Sequence, residues 1–458
     1  MSLLSFSLVF YLFSGYKHLI YLLVSILFNY VLSKKIGKQT DSDKRRKIYL
    51  SIAIFINVLI LAITKYSNSV IHISNKLFEH TFAAIDIIIP LGISFITFQQ
   101  IAYLVDSYKG ETSEYSFFDY ALFVSYFPKI ISGPIVRHEQ LLPQLQDKNI
   151  KRFNYENFAS GIHVFSVGLV KKVILAELLA SPVSWGFNTS NIDKLSSPEA
   201  WIVILAYTFQ IYFDFSGYTD MARGISKMFN LELVINFNSP YKANSIQDFW
   251  KRWHISLTDF LRRYIYFPLG GNRKGQFRTY ANIIIIYLIS GLWHGSSMTF
   301  VCWGALPGFA TILNRRFSSQ WDKLNHFVQC GITFIFVNLS WVVFRAANLR
   351  SALSFYRRLF TFSKLSISKE LTRSFFNLEI RAVEHILEIL LGSGHITTMQ
   401  VIPMFLVLTI CMLIVFTQKN LQEIKQKTTL VRALSTVFFL VWGILSLSGI
   451  TSYIYAGF

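Results

Sequence analysis

The sequence predicts an all-α polytopic membrane protein, and composition is the first reason. Hydrophobic residues make up 53% of the 458 residues and charged residues only 15%, against roughly 25% charged residues in ordinary globular proteins. So much apolar surface excludes intrinsic disorder. The 44 Lys and Arg residues exceed the 25 acids, for a net charge of +19. No soluble basic domain accompanies this charge, so no nucleic-acid partner is expected.

The second reason is the length of the apolar segments. A helix needs about 20 residues to cross a hydrocarbon core of roughly 30 Å. We therefore expect about 9 to 11 transmembrane helices, with re-entrant and interfacial amphipathic helices, around an intramembrane cavity. The stretches that suit a span are 16–32, 48–63, 87–105, 158–170, 200–213, 280–306, 327–344, 396–418 and 433–458, and the shorter apolar pieces are 3–13 and 117–131. Residues 1–458 are expected to form a single integral membrane domain.

The positively charged loops predict the orientation. The loop 33–47 carries seven Lys and Arg residues, which favours the cytoplasmic side. The basic loop 419–432 is assigned to the same side. Because 345–395 is also basic, a further membrane segment is expected within it. No removable signal peptide is expected at the N-terminus, and the three isolated cysteines are interpreted as buried apolar residues.

His294 is the first candidate for chemistry. It lies near the middle of the charge-free stretch 280–306, roughly 20 Å from either end at 1.5 Å per residue. An ionisable group at that depth is costly, so its position suggests a functional role. Gly291 and Gly295 would let a ligand or another backbone approach closely. The alternative is a histidine that bridges two helices.

His254 is the second candidate. Stepping roughly 100° per residue along 248–264 places the apolar and charged side chains on opposite faces. The pattern predicts one amphipathic helix at the membrane interface, with His254 at the edge of its apolar face, where an anchoring role is favoured. The stretch 223–278 holds ten Lys and Arg residues against three acids. It could bind anionic lipid or a phosphorylated cofactor, or it could simply anchor the chain at the cytoplasmic face.

The remaining histidines are expected to be ordinary. His163 is interpreted as structural because it lies in an apolar run without polar company. A solvated or interfacial role is expected for the others, which are His18, His72, His80, His138, His326, His385 and His395.

Several runs resemble the membrane-bound O-acyltransferase (MBOAT) family. They are 236–257, with its Trp-Lys-Arg-Trp-His sequence, 266–273, which reads Tyr-Phe-Pro-Leu-Gly-Gly-Asn-Arg, and the Gly-Leu-Trp-His-Gly run 291–295, joined by 90–98, 127–137 and 212–220. The resemblance is strongest to the bacterial alginate and peptidoglycan O-acetyltransferase branch. The D-alanyl transferase branch ranks second because it usually lacks the Pro-Leu-Gly-Gly-Asn-Arg element. Arg263 departs from the pattern, which usually has Asp before Tyr264.

This resemblance implies acyl transfer in a cavity within the bilayer. His294 corresponds to the essential histidine of the family and His254 to its second histidine. A neutral imidazole can act as general base near pH 7. The implied donor is cytoplasmic acetyl-CoA, used as a substrate, and no bound cofactor or metal is expected. The candidate contacts to its CoA portion are Lys251, Arg252, Trp253 and Asn238.

The resemblance also implies a route to the far side of a bacterial cytoplasmic membrane. Tyr455, in the aromatic C-terminal tail, is a candidate acyl relay to an extracytoplasmic SGNH-type partner, and an interfacial anchor is the alternative. The acceptor would be a cell-envelope polysaccharide. A transporter or flippase of an envelope precursor, with His294 as a gate, is the hypothesis from another class. Transporters usually show paired repeats and several intramembrane acids, which the sequence does not display.

Overall fold

The computed structural model describes residues 2–38, 42–112, 115–362, 365–376, 396–418, 420 and 429–449. Throughout these ranges the regular structure is helical, apart from one isolated bridge between Phe237 and Trp253. The helices are α1 (Ser2–Leu12), α2 (Tyr16–Gly37), α3 (Asp43–Phe78), α4 (Ile93–Tyr108), α5 (Phe117–Ser125), α6 (His138–Gln146), α7 (Tyr155–Val170), α8 (Ala176–Gly186), α9 (Thr189–Ile192), α10 (Ser197–Met228), α11 (Ile246–Arg252), α12 (Ile255–Leu261), α13 (Gln276–His294), α14 (Met298–Arg316), α15 (Ser318–Trp321), α16 (His326–Arg345), α17 (Leu349–Leu359), α18 (Lys369–Ser374), α19 (Ile396–Thr417) and α20 (Leu430–Leu445).

The prediction of an all-α membrane protein is confirmed. Among the described residues, α2, α3 and α16 are long and apolar enough to cross a bilayer. Shorter apolar helices occur at Ser2–Leu12, Val401–Thr417 and Leu430–Leu445. The number of membrane segments stays a prediction. Of the basic stretch 345–395, the structure describes α17 and α18, with 11 and 6 residues; residues 377–395 lie outside the described ranges.

Helices α7 and α10 pack against each other along much of their length and touch through glycines. A Cβ atom on Gly168 would stand 2.7 Å from the backbone oxygen of Gly217, so only glycine permits this approach. A π-helical turn, Lys171–Leu175, joins α7 to α8. Its Lys171 ammonium lies 2.7 Å from the carboxylate of Asp220.

The predicted span 200–213 is too short. Helix α10 has 32 residues and carries three buried acids, Glu199 in its first turn and Asp214 and Asp220 further along. Asp214 pairs with Lys172 just as Asp220 pairs with Lys171. A search for charge-free windows stops at the first acid, whereas paired charges are tolerated inside a helical bundle. The sequence analysis expected no acids within the apolar segments, whereas the structure shows Asp214 and Asp220 buried and paired in the helix that contains the predicted span 200–213.

The predicted span 280–306 is two helices rather than one. Helices α13 and α14 form a hairpin in which a Cβ on Gly291 would lie 2.3 Å from the backbone oxygen of Phe300. The Ser297 side chain accepts a hydrogen bond from the Thr299 amide and so begins α14, as N-cap serines do. His294 is the last residue of α13. The expectation that it lies deep in the middle of one helix is wrong.

The predicted amphipathic helix 248–264 is also broken. Helix α11 ends at Arg252, α12 begins at Ile255, and a π-helical turn occupies Arg262–Tyr266. The backbone at the break bonds to residues 236–238: the Asn238 amide donates to the Arg252 oxygen over 2.9 Å, and the Ile255 amide to the Asn236 oxygen over 3.0 Å. Because these bonds replace helical ones, hydrophobic periodicity alone mispredicts the segment.

Candidate active site

The structure brings the two candidate histidines together. The ring centroids of His254 and His294 are 6.4 Å apart. Both side chains are buried, with 1% and 3% of their surface exposed. Trp293 contacts both rings, with centroid distances of 5.9 Å to His254 and 4.9 Å to His294. Two segments that are 40 positions apart in the sequence therefore build one site.

His254 occupies the break between α11 and α12. Its φ of 45° lies in the left-handed region, which non-glycine residues adopt only at a cost and often at functional sites. Asn236 holds the next turn, because its Oδ1 accepts hydrogen bonds from the Ser256 amide over 3.1 Å and from the Ser256 hydroxyl over 2.7 Å. Ser256 in turn accepts the Ile135 amide at 2.9 Å. The runs 127–137 and 236–257 thus fix His254.

His254 is a core residue and not an interfacial anchor. Its ring packs on Phe95 at 6.2 Å and edge-on to Phe215 at 4.8 Å. Neither ring nitrogen has a hydrogen-bond partner among the described residues. The interfacial role that its helical position favoured is therefore corrected.

His294 lies among aromatic rings at the end of α13. The ring centroids of Trp303 and Phe344 are 5.1 Å and 5.3 Å from its own. Together with Trp293 they surround the imidazole on several sides. Such packing restricts the orientation of the ring, which a group that transfers protons needs.

A cavity of about 410 Å³ adjoins His294, within the range of small-molecule sites. Helices α3 and α4, the loop residues 89–92 and 131–132, and the α13–α14 turn line it. The polar side chains of its wall belong to His294, Lys65, Ser94, Ser132, Ser296 and Ser297. His294 therefore has room beside it for a substrate.

A smaller cavity of about 150 Å³ adjoins α12, the helix that begins directly after His254. Its polar wall includes Arg137, Gln140, Ser256 and Asp259. Ile255 and Ser256, the two residues that follow His254, belong to the wall of this smaller cavity.

The candidate CoA contacts do not share one environment. Lys251 is exposed, whereas the Arg252 Nε donates to the Asp248 carboxylate over 2.9 Å. Asn238 accepts a hydrogen bond from Asn420 over 2.8 Å. Trp253 is 1% exposed and packs within the aromatic core. Of these four candidates, only Lys251 and Arg252 therefore offer positive charge near the surface. The candidate acyl relay, Tyr455, lies outside the described residues.

Sequence reasoning missed a polar cluster around Asp106. The Tyr264 hydroxyl donates to the Asp106 carboxylate over 2.6 Å, and the His138 Nε2 lies 3.4 Å from the same oxygen. His138 is 3% exposed, so the expectation of a solvated histidine is wrong. Arg263 lies 3.2 Å from both Glu111 and Glu139. The arginine that departs from the family pattern thus has acidic partners in this chain.

This cluster includes a possible set of metal ligands. Single ligand atoms of Asp106, Glu111 and His138 lie within 4.8 Å of one another. Arg263, however, already supplies positive charge to Glu111 and approaches Asp106 to 4.0 Å. The geometry fits an ion-pair network that joins α4, α6 and the turn after α12.

A comparison with known families gives the class of this helical membrane protein, that of the membrane-bound acyltransferases. The family model "MBOAT, membrane-bound O-acyltransferase family" matches residues 104–355, a region that contains both histidines. The chain belongs to this family, and it is an acyltransferase.

Named relatives cover most of the chain. A peptidoglycan O-acetyltransferase of Helicobacter pylori is 41% identical in an alignment of 453 positions that covers 92% of this chain and 83% of the relative. A probable alginate O-acetylase of Pseudomonas aeruginosa is 37% identical, over 76% of this chain and 67% of the relative. A teichoic acid D-alanyltransferase of Bacillus subtilis is 26% identical, over 56% of this chain and 68% of the relative.

Proposed function

We propose that this protein is an O-acetyltransferase that moves acetyl groups from cytoplasmic acetyl-CoA across the bacterial cytoplasmic membrane to a cell-envelope polysaccharide. The observation that carries the proposal is the position of His294 beside a substrate-sized cavity and 6.4 Å from His254. Relatives named for peptidoglycan and alginate acetylation support the acceptor class.

The two cavities support a route from one side of the membrane to the other. With loop 33–47 in the cytoplasm, α3 begins there at Asp43, and Lys65 follows 22 residues later, about 33 Å along the helix axis. The larger cavity then lies towards the outer face. The Tyr108 hydroxyl donates to Asp43 over 2.6 Å, which ties the end of α4 to the cytoplasmic side. The smaller cavity lies towards that side, near the Asp106 cluster.

The chemistry follows from a neutral imidazole. His294 takes the proton from the acceptor hydroxyl while that oxygen attacks the thioester carbonyl of acetyl-CoA. The tetrahedral intermediate collapses, the carbon–sulfur bond breaks, and the thiolate of CoA recovers the proton from His294. The products are the acetate ester and free CoA, so atoms and charge balance. His254 acts as the second histidine and positions Trp293 against His294.

The donor and the partner belong to the same proposal. Lys251 and Arg252, with Asn238 nearby, contact the phosphates of CoA, and Trp253 supports them from the core. Tyr455 accepts the acetyl group as an ester and passes it to an extracytoplasmic SGNH-type transferase. Replacing Tyr455 with phenylalanine removes the accepting hydroxyl and should therefore stop both acetylation of the polymer and the CoA release that depends on it.

The direct test is CoA release by the purified full-length protein in nanodiscs. Acetyl-CoA is supplied and free thiol is measured with a colorimetric thiol reagent. The expected result is CoA release that exceeds that of empty nanodiscs. D-alanyl transfer is the second candidate, supported by the Bacillus relative, and it predicts no release from acetyl-CoA. That outcome would contradict the acetyl donor.

A further inference from the structure

A further cavity, of about 240 Å³, lies between α7 and α20 and shares no residue with the two cavities near the histidine pair. Among the described residues of its wall, one is a strong base, Arg432, and one is an acid, Glu156. The other polar side chains of the wall belong to Ser160, His163 and Thr436. The proposed acetyl transfer uses none of these residues.

Hydrogen bonds connect the two helices across this cavity. The His163 Nδ1 lies 2.8 Å from the Thr436 hydroxyl, and that hydroxyl donates to the backbone oxygen of Arg432 over 2.7 Å. The sequence had suggested that His163 lacks polar neighbours, and this contact corrects that expectation. The Ser160 Oγ is buried without a hydrogen-bond partner among the described residues, which is costly for a hydroxyl. The wall therefore offers a polar group that a ligand could satisfy.

The start of α7 is connected to the side of the molecule that is expected to face the cytoplasm. The Asn157 side chain donates to that of Asn230 over 3.0 Å, and the Gln144 side chain donates to the Glu232 backbone oxygen over 3.0 Å. Gln144 belongs to α6, which also contributes to the cluster around Asp106. The basic loop before α20 is assigned to the same side. The cavity is therefore expected at the cytoplasmic interface of the membrane.

The surroundings of the cavity match the boundary between headgroups and hydrocarbon. Phe153 and Tyr155 are exposed at the start of α7, with ring centroids 4.8 Å apart, and exposed aromatic residues are typical of that boundary. On α20, the apolar side chains of Leu434, Val437 and Phe438 are exposed. Val437 also lines the cavity. The cavity thus reaches a surface that suits contact with lipid chains.

We propose that this cavity binds the headgroup of a phospholipid of the cytoplasmic leaflet that carries both a phosphate and a primary amine, as phosphatidylethanolamine does. Arg432 binds the phosphate, because a guanidinium group forms strong charge-assisted hydrogen bonds with phosphate oxygens. The dipole at the start of α20 attracts the same anion. Glu156 accepts hydrogen bonds from the ammonium group. A pair of opposite charges in one wall matches a zwitterionic headgroup better than a purely anionic one.

The size of the cavity agrees with this occupant. Its volume of about 240 Å³ is below the range of roughly 300–1,000 Å³ that is usual for sites that enclose a whole small molecule. It can hold a headgroup while the acyl chains remain outside, along the exposed apolar side chains of α20. The site is independent of the proposed acetyl transfer.

A general anchoring role for these charges makes a different prediction. Basic residues at the cytoplasmic interface attract anionic lipids without selecting a headgroup. An acid in the first turn of a helix is favourable by itself, and Glu156 has that position in α7. If Arg432 and Glu156 only anchor their helices, anionic lipids should bind best and the loss of Glu156 should not change the order of affinities.

The experiment measures lipid binding to the full-length protein by native mass spectrometry from detergent micelles. Phosphatidylethanolamine, phosphatidylglycerol and phosphatidylcholine with the same acyl chains are titrated separately, and water-soluble glycerophosphoethanolamine provides the headgroup without chains. The variants are Arg432→Gln and Glu156→Gln. The matched controls are Arg315→Gln and Glu370→Gln, which change exposed residues of α14 and α18.

The expected result is that the wild type binds phosphatidylethanolamine about tenfold more tightly than either other lipid. Choline has no N–H group to donate to Glu156, and phosphatidylglycerol has no cation. Arg432→Gln weakens the binding of phosphatidylethanolamine about tenfold. Glu156→Gln removes the preference over phosphatidylglycerol, and the controls retain the affinities of the wild type. Size-exclusion elution of each variant reports whether the fold is intact.

Equal or tighter binding of phosphatidylglycerol by the wild type would overturn the proposal, because the amine would then not be recognised. A preference for phosphatidylethanolamine that survives in both variants would place its binding site elsewhere. If glycerophosphoethanolamine bound as tightly as the lipid, the ligand would be a soluble phosphodiester and the assignment to a membrane lipid would be wrong.

Discussion

The segments that carry the two histidines reach the same site by different means. Residues 248–264 place His254 at a sealed bend, where the backbone bonds to residues 236–238 and aromatic rings surround the imidazole. Residues 280–306 place His294 at a hairpin turn, where aromatic rings pack on several sides of the imidazole and the cavity lies beside it. The two histidines differ in access, because His294 lines the large cavity and His254 does not.

This difference assigns the roles. A group that transfers a proton must come within hydrogen-bond reach of the reacting hydroxyl, about 2.6–3.2 Å, and so must be accessible to substrate. His294 meets this condition because it lines the cavity. The His254 ring is instead packed against other residues of the protein. We therefore propose that His254 acts through Trp293 and the fold of the bend.

The largest expected effect tests the accessible member of the pair. His294→Ala should lower the rate of CoA release by about 10²–10⁴-fold, the usual contribution of a general base, while the protein still accumulates in the membrane. His72→Ala is the control, because His72 is an exposed residue of α3. A variant at position 294 that releases CoA at the wild-type rate would show that the histidine is not the base.

The next effect tests the hairpin that holds His294. In Gly291→Ala, the new Cβ would lie 2.3 Å from the backbone oxygen of Phe300, so α13 and α14 must separate and His294 must move. Because a displacement of about 1 Å can cost about a hundredfold in rate, we expect a loss of kcat of that order. In the control, Gly331→Ala, the Cβ meets nothing within 4 Å. Similar kcat values for the two variants would refute the packing argument.

A smaller effect is expected at the sealed bend. His254→Gly and His254→Ala should both lower kcat about tenfold, because Trp293 loses a neighbour that fixes it. The alanine variant should also melt at a lower temperature, since φ is 45° at this position and glycine adopts positive φ without strain. Glu79 has a φ of 54° and is exposed, so its Gly and Ala variants should differ in melting temperature only. A loss at His254 as large as at His294 would assign it a direct chemical role.

The same two segments show what a sequence can predict. The motifs identified both histidines, and the helical membrane fold followed from composition. Neither the break between α11 and α12 nor the one between α13 and α14 could be predicted from hydrophobic periodicity. The apolar spacing continues through His254, and the helix is interrupted there by backbone hydrogen bonds to Asn236 and Asn238, which are distant in sequence. The hairpin had a local signal in Gly295-Ser-Ser297, where a serine can begin a new helix. The position of Lys65 in the cavity wall also had a local sequence signal, because Lys65 is a lone cation at the end of the apolar run 48–63.

The smallest effect concerns the charged face beside the bend. Replacing both Lys251 and Arg252 with glutamine should raise the KM for acetyl-CoA about threefold to tenfold and leave kcat nearly unchanged, as expected when binding contacts far from the reacting atoms are lost. The effect is modest because Arg252 already pairs with Asp248 at 2.9 Å and Lys251 is exposed to solvent. The matched control is Arg315→Gln with Arg316→Gln, an exposed basic pair at the end of α14. Steady-state kinetics of CoA release separates the two constants, and an unchanged KM would leave Lys251 and Arg252 as interfacial anchors.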